Sequence, residues 1–257
     1  MSDALLQASG VTIRFGGLTA LTDFNLEVRK GDLQGLIGPN GAGKTTAFNV
    51  LTGVYLPTSG EVRVGGARIN GQRPHRINRL GLARTFQNIR LFKEMTALDN
   101  VRVAIRSTSG WAASMLRSGG FLKEEAQLEA RARELLEVMG LSHRADEDAK
   151  NLPYGEQRRL EIARALGTSP GVLLLDEPAA GMNTREKADL MVLIRELRAR
   201  FELGILVIEH DMKLVMGICE KLTVLDHGET IAHGAPAAVR ADAKVIEAYL
   251  GEAPAHG

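Results

Sequence analysis

Hydrophobic and polar positions alternate near the start of the chain in the pattern typical of β-strands. Phe24, Leu26 and Val28 alternate with polar residues, and residues 61–64 (EVRV) repeat the alternation. Residues 30–32 (KGD) form a turn signal between such stretches. The first part of the chain is therefore predicted to form a small, mainly antiparallel β-sheet.

A different pattern, continuous apolar runs separated by helical periodicity, predicts a second sheet. The runs at Leu33–Ile37, 172–175 and 205–208 have the length of strands that are buried on both faces, and residues 222–225 predict one more strand. After a capping residue at Asn183 or Thr184, apolar residues recur at helical spacing at Leu190, Leu193, Ile194 and Leu197. Strands that alternate with helices predict an α/β fold whose core sheet is mostly parallel.

The middle of the chain has few strand signals and is predicted to be a helical subdomain. Residues 124–139 are strongly helix-forming, with apolar positions at Leu128, Leu135, Leu136 and Met139. Residues 107–120, around the single Trp111, are expected to be a surface excursion, either a loop or a short helix.

The expected organisation is one domain with an inserted subdomain. Residues 1–86 and 168–235 form the core with its β subdomain, and residues 87–167 form the helical subdomain. The tail at 236–257 is expected to hold a C-terminal amphipathic helix over residues 236–250.

Composition narrows the class of protein. Among 257 residues the net charge is +1, so the basic excess typical of nucleic-acid binding is lacking and no nucleic-acid partner is expected. The single cysteine, Cys219, lies in an apolar stretch and is expected to be buried, in a reducing compartment. The start of the chain lacks the pattern of a signal peptide, and no apolar run approaches the roughly 18 residues of a membrane span. Any role at a membrane is expected to be peripheral.

A glycine-rich loop between a predicted strand and a predicted helix carries the clearest chemistry. It fits the phosphate-loop pattern G-x-x-x-x-G-K-[ST] and consists of Gly38, Pro39, Asn40, Gly41, Ala42, Gly43, Lys44, Thr45 and Thr46. Glycines let successive backbone N–H groups point at phosphate oxygens, and the helix that begins near Lys44 adds the positive end of its dipole. Lys44 is expected to neutralise the β- and γ-phosphates of ATP, and Thr45 to offer its hydroxyl to Mg²⁺.

Two further strands end in polar residues suited to phosphate chemistry. Asp176 is predicted to bind Mg²⁺ through water, and Glu177 to orient and deprotonate an attacking water. His210, past the next buried strand, is predicted to hydrogen-bond the γ-phosphate. Each short motif has a plainer alternative, an acidic turn or a structural histidine, which the nearby phosphate loop disfavours.

Together these motifs resemble, over nearly the whole chain, the nucleotide-binding subunits of ABC transporters. The resemblance implies that Phe15 stacks on adenine, the alternative being a core aromatic, and that Gln87 contacts Mg²⁺ and faces the membrane subunit. It makes Lys44, Gln87, Glu177 and His210 the catalytic set. Thr45, Gln87 and Asp176 are the implied metal ligands.

Residues 152–157 (LPYGEQ) stand where the family's signature, Leu-Ser-Gly-Gly-Gln, is expected. The resemblance implies that Tyr154, Gly155 and Glu156 cap the γ-phosphate held by a second subunit. Pro153 stands where the family has serine, so the serine hydroxyl contact is missing. Asn183 stands where the family usually has aspartate in the loop that crosses the dimer.

The chain also resembles a narrower group, the ATP-binding subunit of branched-chain amino acid importers. The features that carry this resemblance are the Tyr-Gly signature, the Trp111 excursion and residues 179–181 (AAG), 208–216 (IEHDMKLVM) and 248–253 (AYLGEA). It implies a second ATP-binding subunit, identical or paralogous, transmembrane permease subunits and, indirectly, a periplasmic or extracellular solute-binding protein. The implied location is the cytoplasmic face of the inner membrane. Alternatives are a urea or amide importer, a lipopolysaccharide exporter and a non-transport ABC ATPase that acts on ribosomes or DNA.

Overall fold

Two β-sheets build one of the two compact units of the chain, and helices build the other. The computed structural model describes residues 4–106, 119–210 and 212–250. The first unit comprises the described residues up to Arg84 and from Gly171 onward, and the second comprises those between Thr85 and Pro170. Trp111 and most of its predicted surface excursion, like Asp211 and residues 251–257, lie outside the described residues. The assignment of functional subdomains stays a prediction.

The first sheet is antiparallel, as the alternating pattern predicted. Its strands stand in the order β2-β1-β4-β5 and are β1 (Ala4–Phe15), β2 (Leu18–Arg29), β4 (Ser59–Val64) and β5 (Ala67–Arg68). Leu6, Ala8, Val11 and Ile13 of β1 are buried, whereas most of the residues between them are partly accessible. One face of this sheet therefore faces a core.

The second sheet is mixed and mostly parallel. Its strands stand in the order β10-β9-β3-β8-β7-β6, with β3 (Leu33–Ile37), β6 (Leu82–Arg84), β7 (Val172–Asp176), β8 (Gly204–Ile208), β9 (Lys221–Asp226) and β10 (Glu229–Gly234). Only β10 runs antiparallel to its neighbour. Every residue of β3, β7 and β8 is buried, which explains their unbroken apolar runs. The predicted α/β fold class is confirmed.

The helices of the first unit are Lys44–Leu51, Pro74–Arg79, Thr184–Phe201, Met212–Ile218, Pro236–Ala241 and Ala243–Leu250. Asn183 caps Thr184–Phe201 in a capping box with Glu186, as its position predicted. The single C-terminal helix predicted for residues 236–250 is wrong. Asp242 is extended between two short helices and accepts a hydrogen bond from the backbone N–H of Lys244 at 2.8 Å, so it ends one helix and begins the next.

The core of the first unit lies between the two sheets. The side chains of Phe24 from β2, Phe48 from the helix Lys44–Leu51 and Leu174 from β7 belong to one buried cluster with residues of β1, β4 and β8. The first helix after β3 is thus packed on both sheets, and this packing fixes the position of the loop that precedes it.

The second unit is helical, as predicted. Its helices are Ala97–Arg102, Gly119–Val138 and Tyr154–Gly167, which contact one another pairwise, together with the single-turn 3-10 helices Ser142–Arg144 and Ala149–Asn151. Leu135, Leu136 and Met139 are buried, in agreement with the predicted apolar stripe. Within the described parts of the chain, none of the helices combines the length and the apolar character needed to cross a membrane.

Candidate functional site

The phosphate loop leaves the buried strand β3 and enters the helix Lys44–Leu51 through glycines that no other residue can replace easily. Gly38 has φ of 149°, and a Cβ added there would lie 2.0 Å from the carbonyl oxygen of Leu225. Gly43 has φ of 101°, and its Cβ would lie 2.8 Å from the carbonyl oxygen of Ala20. Neighbouring backbone therefore enforces the curl of this loop.

The ammonium group of Lys44 lies inside the loop. Its Nζ donates hydrogen bonds to the carbonyl oxygens of Gly38 and Pro39, both at 2.6 Å, and the residue is buried. The loop is closed on itself by a hydrogen bond from the Ala42 N–H to the Pro39 oxygen at 3.2 Å. Two backbone carbonyl oxygens thus hold a positive charge beside the start of a helix, a position that favours phosphate binding. Of the other loop residues, Asn40, Gly41 and Thr45 are exposed and Thr46 is half-buried.

Asp176, Glu177 and His210 lie at the same edge of the sheet as the phosphate loop. β3, β7 and β8 are parallel, so their carboxyl ends meet at one edge. Asp176 ends β7 and is buried. Ligands of open α/β sheets bind at this edge, so the structure brings these predicted site residues to the expected side of the unit.

The carboxylate of Asp176 forms an ion pair that the sequence did not indicate. Oδ2 of Asp176 lies 2.7 Å from a terminal nitrogen of Arg84, and the two side chains are each 8% exposed. Arg84 also donates to Asn49 Oδ1 at 2.8 Å and Thr52 Oγ1 at 3.2 Å, which ties β6 and β7 to the helix Lys44–Leu51. Arg84 and Asp176 are 92 positions apart, so no local pattern reveals the pair.

Replacing Arg84 with methionine is expected to lower the free energy of unfolding by about 3–5 kcal/mol, because a buried carboxylate would lose its partner. Chemical denaturation measures this change. Arg79→Met, an identical substitution at an exposed position of the helix Pro74–Arg79, serves as the control and should change stability by less than about 0.5 kcal/mol. Equal losses in the two variants would contradict the role given to the buried ion pair.

Glu177 adopts a backbone conformation that is rare for its residue type. Its φ is 44°, in the left-handed region, and its N–H donates to the carbonyl oxygen of Ile208 at 3.0 Å. Such conformations cost roughly 1–3 kcal/mol and cluster at functional sites. In this conformation the carboxylate of Glu177, which is 21% exposed, lies 3.9 Å from Nδ1 of His210.

His210 lies between two carboxylates and is accessible. Its Nδ1 is 3.9 Å from Glu177 and 3.9 Å from Glu209, too far for a direct hydrogen bond to either, and its side chain is 63% exposed. Glu209 is buried, and its Oε1 accepts a hydrogen bond from the N–H of Ala179 at 2.9 Å. Glu209, which the sequence did not single out as functional, therefore links the end of β8 to the loop that follows Glu177.

Phe15 ends β1 with its ring half-exposed, which excludes the alternative of a core aromatic. Its ring centroid lies 5.2 Å from that of Tyr55, at an interplanar angle of 76°. A half-exposed aromatic ring at the end of a strand, packed against a second ring, is suited to stacking on a planar base.

Gln87 and the Tyr154 turn belong to the second unit. Gln87 is exposed, and its carbonyl oxygen accepts a hydrogen bond from Arg158 at 2.6 Å. Tyr154 begins the helix Tyr154–Gly167 with its side chain half-exposed, after Pro153, which has no hydroxyl with which to cap it. Gly155 and Glu156 are partly buried, and Glu156 forms a 2.9 Å ion pair with Arg144.

Comparison with known proteins identifies the family. The model of the family described as ABC transporter matches residues 21–180, which is more than half of the chain. The chain belongs to the ABC transporter family. Residues 229–255 match a second model, described as branched-chain amino acid ATP-binding cassette transporter. The predicted resemblance is confirmed, and the protein is an ATP-binding and ATP-hydrolysing member of this family.

Individual relatives agree with the family models. This ABC protein is 48% identical over 255 residues to BraF, a high-affinity branched-chain amino acid transport ATP-binding protein of Pseudomonas aeruginosa, covering 98% of this chain and 100% of BraF. The crystal structure of the ADP conformation of MJ1267, an ATP-binding cassette of an ABC transporter, is similar with a TM-score of 0.84 and 34% identity, covering 98% and 100% of the chains. A dimeric structure of the cassette MJ0796 bound to ADP and Pi is similar with a TM-score of 0.74 and 25% identity, covering 90% and 98%.

Proposed function

We propose that this ABC protein is the ATP-binding and hydrolysing subunit of a membrane importer for branched-chain amino acids. The observation that carries the proposal is the 48% identity to BraF over 98% of the chain, supported by the match of residues 229–255 to the branched-chain amino acid family model. Its partners are a second ATP-binding subunit, transmembrane permease subunits and, indirectly, a solute-binding protein outside the membrane.

In this proposal ATP binds at the carboxyl edge of the mixed sheet. The adenine stacks on the exposed ring of Phe15, and the amides of Gly38–Thr46 with Lys44 hold the phosphates. Lys44 Nζ, now hydrogen-bonded to the Gly38 and Pro39 carbonyls, is positioned to exchange these neutral acceptors for anionic phosphate oxygens, which bind an ammonium group more strongly.

The donor chemistry fits a magnesium ion bound together with the phosphates. Among the residues described, no three histidine, cysteine or acidic side chains gather into a metal-binding group of their own. Mg²⁺ needs no such group, because substrate phosphates, waters and one or two protein oxygens complete its shell. Thr45 and Gln87 are the proposed direct ligands, Asp176 is the proposed ligand through water, and the ion would neutralise charge on the phosphates.

Glu177 is the proposed general base for hydrolysis. Its partly exposed carboxylate follows β7, and the neighbouring His210 presents an imidazole to the same side. Glu177 takes a proton from the attacking water, while His210 hydrogen-bonds the γ-phosphate. The Tyr154–Gly155 turn of a second subunit caps that phosphate, so ATP favours the closed dimer and hydrolysis releases it.

The cargo is tested by transport in the assembled system. The chain is co-expressed with candidate permease subunits and reconstituted in vesicles with a solute-binding protein. The vesicles are supplied with ATP and a panel of leucine, isoleucine, valine, urea and acidic amino acids. ATP-dependent uptake of the branched-chain amino acids is expected, and Glu177→Gln should abolish it. Uptake of urea alone, or ATP-driven extraction of lipopolysaccharide, would assign the protein to one of the alternative systems.

Removing the Phe15 ring is expected to weaken ATP binding without unfolding the protein. Loss of base stacking is expected to reduce the binding free energy by about 1–3 kcal/mol, which raises the dissociation constant roughly 5- to 150-fold. Phe15→Ala should therefore bind ATP at least about fivefold more weakly in a calorimetric titration, and Phe15→Trp should restore binding. Phe92→Ala, which removes a ring of similar exposure, 53% against 48%, is the matched control and should bind normally.

A further inference from the structure

A buried arginine on the helix Tyr154–Gly167 connects two parts of the helical unit. Arg158 is fully buried, and its two terminal nitrogens donate to the carbonyl oxygens of Phe86 at 2.5 Å and Gln87 at 2.6 Å. The same guanidinium donates to the hydroxyl of Tyr154 at 3.0 Å and to Oε2 of Glu161 at 3.1 Å. One planar group therefore contacts both the Tyr154 turn and the segment of Gln87.

Glu161 completes the connection from the other side. It is 2% exposed, and its Oε1 accepts from the N–H groups of Phe86 at 3.4 Å and Arg90 at 3.2 Å. Burial raises the pKa of this carboxyl, while the Arg158 charge and the two N–H groups act in the opposite direction. The segment Phe86–Arg90 is thus held at its carbonyls by Arg158 and at its amides by Glu161.

One rigid group joins the hydroxyl of Tyr154 to the backbone of Phe86 and Gln87. A guanidinium is rigid and planar, so a rotation that follows the Tyr154 hydroxyl also moves the nitrogens that hold Phe86 and Gln87. The buried charge prevents the group from leaving its partners, because an unpaired buried guanidinium is costly. Tyr154 itself is half-exposed at a helix start, which makes it the accessible end of the connection.

We propose that Arg158 is a positioning residue that couples the Tyr154 turn to the Gln87 segment, so that a nucleotide phosphate docking on Tyr154 shifts the backbone of Phe86–Arg90. This inference rests on the proposed function, in which the phosphate is the γ-phosphate of ATP held by a second subunit. Tyr154 then senses the nucleotide of the partner, and Gln87 responds within the same chain.

Hydrogen–deuterium exchange of the full chain tests the coupling. The Glu177→Gln background keeps ATP bound, and exchange is followed with and without Mg-ATP in peptides that cover Gly38–Thr46 and Phe86–Arg90. Mg-ATP should change the exchange rate of the Phe86–Arg90 amides by about fivefold. A change of this size corresponds to gaining or losing one hydrogen bond of about 1 kcal/mol. Adding Tyr154→Phe, which removes only the hydroxyl, should abolish this change.

Two lysine variants complete the test. Arg158→Lys keeps the charge but lacks the fork that reaches both Phe86 and Gln87, so it should also abolish the response. Arg159→Lys, the same change at the next position of the helix, should leave the response intact. Thermal midpoints show whether each variant is folded.

The outcomes separate the two proposals. The coupling alone is overturned in either of two cases, both with protection at Gly38–Thr46. In the first, Phe86–Arg90 of Glu177→Gln does not respond to ATP. In the second, Phe86–Arg90 responds and the response survives both Tyr154→Phe and Arg158→Lys. If Mg-ATP protects neither segment of the folded Glu177→Gln chain, the proposed nucleotide site is wrong and the coupling falls with it.

Discussion

Replacing Glu177 with glutamine is expected to slow ATP hydrolysis by about 10²- to 10⁴-fold, the contribution of a positioned general base. Glutamine has nearly the same size as glutamate and can adopt the same left-handed backbone, with φ of 44°. Its amide, however, does not accept a proton from water. ATP binding should therefore persist, and the chain should accumulate as an ATP-bound dimer. Phosphate release measures the rate, and size-exclusion chromatography with Mg-ATP measures the dimer.

The matched control for this variant is Glu196→Gln, at an exposed position of the helix Thr184–Phe201. It should hydrolyse ATP at the rate of the unaltered protein. If the Glu177→Gln protein also hydrolyses ATP at that rate, the carboxylate of Glu177 is not the base, and the water must be activated by another group.

Replacing Lys44 with alanine is expected to weaken ATP binding by about 10- to 100-fold, because hydrogen bonds to charged groups contribute roughly 1.5–3 kcal/mol. Lys44 carries the positive charge at the centre of the loop, and its Nζ also donates to the carbonyl oxygens of Gly38 and Pro39. Fluorescence titration with a labelled ATP analogue measures the affinity. The thermal midpoint separates lost affinity from a disturbed loop.

Lys221→Ala is the control for this experiment. The side chain of Lys221 is 49% exposed, and its Nζ lies 4.0 Å from Oδ1 of Asp32, a weak ion pair. It should bind ATP normally. Unchanged affinity in a folded Lys44→Ala protein would remove Lys44 from the phosphate site.

The fold was predictable where the sequence pattern is local and repeated. The buried runs of β3, β7 and β8 and the capping box at Asn183 are visible as short patterns, and the structure contains each of them. β6 was not predicted, because a strand of Leu82–Arg84 is too short for any alternation to be recognised. The C-terminal break at Asp242 was also missed, since one polar residue does not interrupt an amphipathic pattern.

The candidate site was predictable in its motifs but not in its supporting contacts. The phosphate loop and the Asp176–Glu177 pair stand out as contiguous motifs with known chemistry. Arg84 and Arg158 do not, because their partners are 92 and 71–72 positions away along the chain. The left-handed backbone of Glu177 accompanies a hydrogen bond to Ile208 on another strand, and no local pattern in the sequence reveals either feature.

Calorimetric titration of the purified, folded chain with Mg-ATP tests the central claim, that the loop Gly38–Thr46 holds the phosphates of a nucleotide. Saturable binding with one ATP per chain is expected, and adenosine, which lacks the triphosphate, should bind much more weakly. A folded protein that binds Mg-ATP no better than adenosine, or releases no heat with either and shows no thermal stabilisation, would contradict it.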